Sequence, residues 1–259
     1  MKANYIVASI EARMTSSRLP GKVLMDSIEG ISMLEFMISR VKKSKLINKI
    51  VVATTKNTSD QPIIDLCKKL KINYFRGSEE DVLLRVLNAH KKFNSNIIVE
   101  LTGDCPLIDP LIIDKIISIY LNNQYDYVSN SHIRSYPDGF DVQVFSTKLL
   151  DYISRKTKLP YDRENVSSYF YRTNEFKIFG DIATKELFWP DLRVTLDDKG
   201  DYLLIKNIIN NLYPTHGNSF RAIDVINYLK KNLHLLELIK NSRVSEAPYQ
   251  FVADGPREL

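Results

Sequence analysis

The chain has 259 residues, 44% of them apolar, which is enough for a full core and large for one domain. Its 36 basic and 31 acidic side chains leave a formal charge of +5 with no dense basic stripe, so nucleic acid is not required as a partner. No apolar run approaches the roughly 18 residues of a membrane span, and the first residues lack the charged-then-apolar pattern of a secretory signal.

The elements follow from hydrophobic period. Tyr5 to Ile10 is a continuous apolar run and predicts a buried strand. It runs into Ala12 to Lys22, a loop with three cations, Arg13, Arg18 and Lys22, two serines and a Pro20-Gly21 turn. Three cations on a short loop repel one another, so an anion that neutralises them, a polyphosphate, is the natural occupant. Ser32 to Lys43 has helical spacing, with Leu34, Met37, Ile38 and Val41 on one face. Lys49 to Thr54 is a second buried strand, and Asp60 is placed to cap the helix that carries Ile63, Ile64, Cys67 and Leu70. Asn73 to Phe75 is a short strand, Asp81 to Phe93 a helix, Ile97 to Leu101 a strand, and Asp109-Pro110 opens a helix through Leu121. This strand-helix alternation predicts a mainly parallel sheet covered on both faces, with ligands outside the carboxyl ends of its strands. Ala12 to Lys22 and Thr102 to Pro106 both lie at such ends.

Beyond Tyr125 the alternation breaks. Asp126 to Ser129, Phe140 to Phe145, Lys177 to Phe179 and Leu192 to Thr195 are expected strands, and Thr147 to Arg155 and Glu164 to Arg172 expected helices. The mixture predicts an inserted lobe with the loop His132 to Gly139 at its mouth. Helices are expected again over Lys199 to Leu212, Ala222 to Asn232 and His234 to Asn241, before a tail, Ala247 to Leu259, without periodicity and expected to be loosely ordered. One domain is expected over 1–259: a nucleotide half over about 1–125, an acceptor and dimerisation lobe over about 126–198, and C-terminal helices and tail over 199–259.

Several residues could carry chemistry. Asp104, directly after a buried strand, could hold Mg²⁺ against phosphate oxygens, with Asp109 left to cap the next helix. Asp197 or Asp198 offers a second carboxylate, the other capping the helix near Gly200, since neighbours on an extended chain point opposite ways. Arg76-Gly77-Ser78 enters a helix that Ser78 or Asp81 can cap; equally, Gly77 could let the backbone approach a flat base, with Arg76 and Ser78 bonding to it. Asp138 and Asp141 flank a turn at Pro137 and Gly139, and Arg134, Arg163 and Arg172 stand nearby as parts of an acceptor pocket. His90, His132, His216 and His234 show no metal-ligand spacing, and His90 and His234 read as helix-surface residues. There is no nucleophile elbow. Cys67 and Cys105 lack Cys-x-x-Cys spacing and fit a reduced, cytosolic, soluble protein.

Ala-Arg-Met-Thr-Ser-Ser-Arg-Leu-Pro-Gly-Lys at 12–22, Ala-Thr-Thr at 53–55, Arg-Gly-Ser-Glu-Glu-Asp-Val-Leu at 76–83, Thr-Gly-Asp-Cys-Pro-Leu-Ile-Asp at 102–109, Asp-Tyr-Val-Ser-Asn at 126–130, Pro-Asp-Gly-Phe-Asp-Val at 137–142 and Arg-Val-Thr-Leu-Asp at 193–197 resemble, in order, the cytidylyltransferases of the spore-coat polysaccharide type. These are relatives of CMP-Kdo synthetase and acylneuraminate cytidylyltransferase. The resemblance implies a Rossmann-like nucleotidyltransferase fold with three α/β/α layers, commonly dimeric, using CTP and Mg²⁺. It implies that Arg13, Ser16, Arg18 and Lys22 cradle the triphosphate, with Ala12 and Gly103 among the nucleotide-binding residues. It further implies that Arg76, Gly77 and Ser78 form part of the cytosine pocket. Asp104 and Asp197 map to the metal ligands, which chooses Asp197 over Asp198. Arg13, Lys22, Asp104 and Asp197 become the catalytic set.

Asp138 and Asp141, with Arg134, Gln143 and Arg163, fall in the acceptor site. Three departures bear on substrate: Gln143 where relatives often have Glu, Asn165 where they often have His, and Thr15 in place of a Gly or Ala. The implied reaction is transfer of CMP from CTP to a small anionic acceptor, an acidic sugar, with release of pyrophosphate, in a homodimer serving surface polysaccharide synthesis. A phosphomonoester acceptor is the alternative within this class. A nucleotide-sugar glycosyltransferase would be expected to carry an Asp-x-Asp motif that Thr-Gly-Asp-Cys does not supply. A non-catalytic nucleotide sensor has no reason to retain both Asp104 and Asp197.

Overall fold

Each expected apolar run of the first half becomes an element of a layered sheet in the computed structural model, which describes residues 4–240 and the short strand Phe251–Val252. In chain order these are β1 (Ile6–Glu11), the hairpin β2 (Asp26–Ile28) and β3 (Ile31–Ser32), then α1 (Met33–Val41), β4 (Lys49–Thr55), α2 (Gln61–Lys69), β5 (Asn73–Gly77), α3 (Val82–Lys92), β6 (Ile97–Thr102) and α4 (Pro110–Asn122). The second half supplies β7 (Tyr127–Ser129), β8 (Ile133–Arg134), β9 (Gln143–Ser146), α5 (Thr147–Lys156), α6 (Pro160–Glu164), α7 (Ser168–Arg172), β10 (Ile178–Gly180), α8 (Lys199–His216), α9 (Ala222–Lys231) and β11 (Phe251–Val252).

The main sheet has seven strands in the order β10-β7-β9-β6-β1-β4-β5. β6, β1, β4 and β5 run parallel, β10 is parallel to β7, and β9 is antiparallel to both of its neighbours. The segment expected as an inserted lobe therefore completes the other wing of the same sheet. Side-chain alternation along the strands feeds two cores. Ile6, Ala8, Ile10, Val52, Val99 and Leu101 pack with α1, α4, α8 and α9 on one face. Val7, Val51, Ala53, Ile98 and Phe145 pack with α3, α5 and α7 on the other.

Other boundaries moved for local reasons. The helix expected over Glu164 to Arg172 is two short helices, α6 and α7, because the chain turns at Val166, whose φ is 22° and whose side chain is buried. The strand expected from Phe140 begins at Gln143, after a turn at Gly139 with φ 113°. A Cβ on Gly139 would come within 2.9 Å of Val194, so only glycine permits this crossing. Leu192 to Thr195 forms a single parallel bridge, Asp138 to Arg193, instead of a strand. Leu233–Ile239 is a 3₁₀ helix, and Asn241 and most of the tail lie outside the described residues. His90 is fully buried, a correction to its expected surface position: it stands four residues after Val86 and joins the apolar stripe of α3. His234 is exposed.

Arg40 is a buried cation that ties the layers together. Its guanidinium donates to the carbonyls of Ile108 at 2.8 Å, Leu107 at 3.1 Å, Asn218 at 3.0 Å and Phe220 at 2.8 Å, and lies 4.3 Å from the centre of the Phe220 ring. Burial lowers its pKa to about 10, with Asp109 and Asp224 opposing the shift.

Candidate active site

The loop after β1 is held at both ends by backbone. Ala12 N–H donates to the Ala53 carbonyl, and Gly21 N–H to the Met14 carbonyl at 2.9 Å. Gly21 takes φ 73°, a left-handed conformation that turns the chain so that Lys22 points inward. Ser16 Oγ accepts from Leu19 N–H at 3.3 Å inside the loop. Asp60 was expected to cap α2, yet its side chain makes no cap bond. One carboxylate oxygen accepts from Met14 N–H at 2.8 Å, and the other from Thr55 N–H at 3.0 Å and both threonine hydroxyls, Thr54 and Thr55. Burial alone would raise its pKa, but these donors, those of Thr55 first, hold it below the usual carboxylate value. Asp60 thus anchors the loop to the end of β4, a role that its spacing does not distinguish from capping. Glu79 does the same from the other side, taking hydrogen bonds from Thr15 and Asn57 and facing Arg13 at 3.4 Å.

The carboxylates arrive from distant parts of the chain. Gly103 N–H donates to the Glu11 carbonyl at 2.9 Å, and a Cβ at Gly103 would lie 2.5 Å from that oxygen, so glycine lets the ends of β1 and β6 meet. Asp104 follows, and its own carbonyl accepts from Leu196 N–H at 2.7 Å, which draws the segment before α8 alongside. Lys22 Nζ stands 2.9 Å from Asp197 Oδ1 and 3.5 Å from Asp104 Oδ2, and Arg18 reaches the same Asp197 oxygen at 3.0 Å. Asp198 is the cap of α8, in a reciprocal capping box with Asp201, and its side chain accepts from Asp201 N–H at 3.1 Å. Asp109 likewise caps α4 through Leu111 N–H at 2.8 Å. Burial works to raise the pKa of Asp104, but Lys22 and the Thr102 hydroxyl bring it below the normal value. Burial likewise works against the charge on Lys22, and the two aspartates outweigh it and raise its pKa.

Asp104 and Asp197, both addressing one ammonium, are hard oxygen donors of the kind Mg²⁺ accepts. No group of three or more Asp, Glu, His or Cys side chains suited to a metal occurs among the described residues. Two carboxylates fit a cation that fills its other positions with water and phosphate.

These residues line one cavity of about 500 Å³, together with Glu11, Glu100, Arg134, Asp141, Gln143 and Asn165. Ala12, Arg13, Ser16, Arg18 and Gly103 line it too. Arg134 forms a bidentate pair with Asp141, at 2.7 and 3.0 Å, and lies 3.6 Å from Asp138. Burial and the neighbouring Asp141 push the Asp138 carboxyl up to about 7, against the pull of Arg134.

Other expected site residues are engaged elsewhere. Arg76 spends its donors on the carbonyls of Thr55, Lys56 and Asn57, at 2.8 to 3.0 Å. Gly77 is closely covered by Arg85, whose Cγ would sit 2.7 Å from an added Cβ. Ser78 Oγ accepts from Asp81 N–H, and Asp81 caps α3. Arg163 pairs with Asp81 and lines a neighbouring cavity with Glu79, Lys158 and Pro160. Arg172 pairs with the buried Asp162. Arg85, Glu11 and Glu100 also line the main cavity and are not among the residues expected there. Glu11 and Glu100 sit within apolar runs at strand ends, and that interruption is the signal that could have found them.

Residues 7–207 match the cytidylyltransferase family. The chain belongs to that family, and is therefore a nucleotidyltransferase. The spore coat polysaccharide biosynthesis protein SpsF of Bacillus subtilis is 31% identical over 237 residues, 88% of this chain and 95% of that protein. A cytidylyltransferase structure from Leptospira borgpetersenii superposes with a TM-score of 0.84 at 34% identity, covering 94% of this chain and all of that one. CMP:2-keto-3-deoxy-manno-octonic acid synthetase complexed with CTP shares the fold, with a TM-score of 0.61 at 16% identity over 80% of this chain and 98% of its own. No described helix is long and apolar enough to cross a membrane.

Proposed function

We propose that the protein transfers CMP from CTP to an acidic sugar, releasing pyrophosphate, for surface polysaccharide synthesis. The reading rests on one observation above the rest. Lys22, Asp104 and Asp197 converge within 3.5 Å in a cavity that also takes Arg13, Ser16 and Arg18 from a single loop. The relatives support it, since one acts in spore-coat polysaccharide synthesis and a structural neighbour holds CTP.

The triphosphate lies along the loop, where Arg13, Arg18 and Lys22 receive the charge that moves onto the departing pyrophosphate. The loop is held by Asp60 and Glu79 before substrate arrives, so little reorganisation remains for the transition state. Asp104 and Asp197 would hold Mg²⁺, which when bound would neutralise charge at the α-phosphate. The acceptor oxygen attacks in line from the side of Arg134, Asp141 and Gln143, and no covalent enzyme intermediate is required. A phosphomonoester acceptor would give a CDP-linked product through the same steps. A homodimer in the cytoplasm, with Mg²⁺ as the working ion, completes the proposal.

The test is pyrophosphate release from CTP and Mg²⁺ across a panel of sugar acids and phosphomonoesters. Asp104→Asn and Lys22→Ala should fold normally and lose turnover on the order of a hundredfold or more. Near wild-type turnover in either variant would remove the site assignment.

A further inference from the structure

One wall of the cavity is acidic, and the transfer of CMP does not call on it. Glu100 on β6 opposes Ser9 on β1 and Gln143 on β9, while Glu11 opposes Thr102. Strand alternation turns Glu11, Glu100 and Gln143 to the same face of the sheet, the α3 face. Glu100 is 4% exposed, and its Oε2 meets no hydrogen-bond partner among the described residues. Both Glu11 carboxylate oxygens are buried and equally without a partner, with the Ser9 hydroxyl near but outside hydrogen-bond geometry. Neither carboxylate forms an ion pair among the described residues. Both nevertheless line the cavity.

The surrounding groups compensate these acids only in part: Arg85 and the Ser9 hydroxyl favour the charged form of Glu11 and the Ser167 hydroxyl that of Glu100, yet burial outweighs them. Arg85 also lines this wall, yet its terminal nitrogen donates to the Ser78 and Glu79 carbonyls, and its Nε has no hydrogen-bond partner among the described residues. Arg134 is taken by Asp141, and Gln143 Oε1 already accepts from Tyr127 and Ser167. Burial pushes both carboxyls upward, Glu100 to about 8, and repulsion from Glu100 adds to the rise at Glu11, so the pair holds less than its full negative charge near neutrality. Buried carboxylate oxygens without a hydrogen bond are costly, and purely structural ones are normally hydrogen-bonded. A ligand carboxylate or phosphate would only favour the neutral form of these acids and gain no charge attraction from them. A protonated amine would be attracted, bringing both positive charge and several N–H donors.

We propose that Glu11 and Glu100 receive an ammonium group of the acceptor, so that the substrate is an amino-bearing sugar acid. This rests on the transferase reading and narrows its substrate class. The anionic end of the acceptor then faces the reacting phosphate and its cations, while the amine lies against β1 and β6. Adjacency of Glu100 to Gln143, on the wing away from β4 and β5, assigns this wall to the acceptor and not to the nucleobase.

The experiment compares matched sugar acids bearing hydroxyl, free amine or acetamide at one position, with pyrophosphate release from CTP as the readout. The wild type should favour the amine by about tenfold or more in kcat/KM, the equivalent of one modest charge interaction. Glu100→Gln should reduce that preference to about threefold or less with the KM for CTP little changed, and Glu11→Gln repeats the test should the first variant misfold. Equal or better turnover of the hydroxyl compounds overturns the amine assignment alone. A raised KM for CTP with acceptor preference intact also overturns it, because the carboxylates would then be reading the cytosine amine. Silence from every acceptor, with CTP binding still seen by calorimetry, defeats the transferase reading and this assignment with it.

Discussion

Arg40 shows how far one residue can exceed what its position in sequence suggests. On a helical wheel it adjoins the apolar face of α1, and the pattern Leu34, Met37, Ile38, Val41 predicts that face without asking for a cation. In the folded chain it is fully buried and supplies hydrogen bonds to four carbonyls from two separate connections. Arg40→Met keeps much of the apolar stem and removes every donor, leaving those carbonyls unsatisfied. The expected loss is about 3 kcal/mol or more, read as a lower urea midpoint at constant slope, with CTP-dependent turnover retained below the transition. Asp60 illustrates the opposite case. Its helix-start position made capping the obvious reading, and the loop bond to Met14 depends on the fold of residues 46 positions apart. Local spacing cannot carry that information.

At the level of elements, the split between Asp197 and Asp198 is the clearest match between chain and structure. Extended backbone turns adjacent side chains apart, so one faces the cavity and the other caps α8. Asp198→Ala should cost about 1 kcal/mol through loss of the cap and leave turnover largely intact. Asp197→Asn should do the reverse, with thermal midpoint little changed and turnover falling on the order of a hundredfold. Thermal scans and pyrophosphate assays on the two variants, side by side, check the division; equal loss of turnover in both would contradict it. Elements with apolar runs or strong helical spacing, β1, β4, β6 and α1 to α4, were legible because their burial is local in origin. α6 and α7 were not, because the break at Val166 comes from a side chain seeking the core beneath α3. Nor was the β9 boundary, which follows from the contact of Gly139 with Val194, two segments that only the finished fold brings together.

Across the whole molecule, the sheet buries acids on its working face and a histidine beneath it, and the two should bend the stability curve in opposite directions. His90 is buried and has its pKa lowered to about 3 from 6.5, by burial. The unfolded chain takes up that proton and the folded one does not, so stability falls as pH drops from 6.5 toward 3. Glu100 has its pKa raised from 4.5 to about 8, again by burial, with the Ser167 hydroxyl opposing. Here the folded protein holds the proton, so its contribution is complete below 4.5 and is lost as pH rises toward 8. Asp138, raised to about 7 by burial and Asp141, acts in the same sense as Glu100. Single substitutions separate these arms. Glu100→Gln should unfold at a higher temperature than wild type at pH 8, and the difference should vanish well below pH 4.5, where Glu100 is neutral in the folded and the unfolded chain alike. His90→Leu should gain over wild type as pH falls below 6.5, since it has no proton to take up on unfolding. Scanning calorimetry of the three proteins across this range provides the measurement. A Glu100→Gln gain that is flat with pH would mean that the carboxylate titrates normally, and the acidic wall would then be solvated instead of buried.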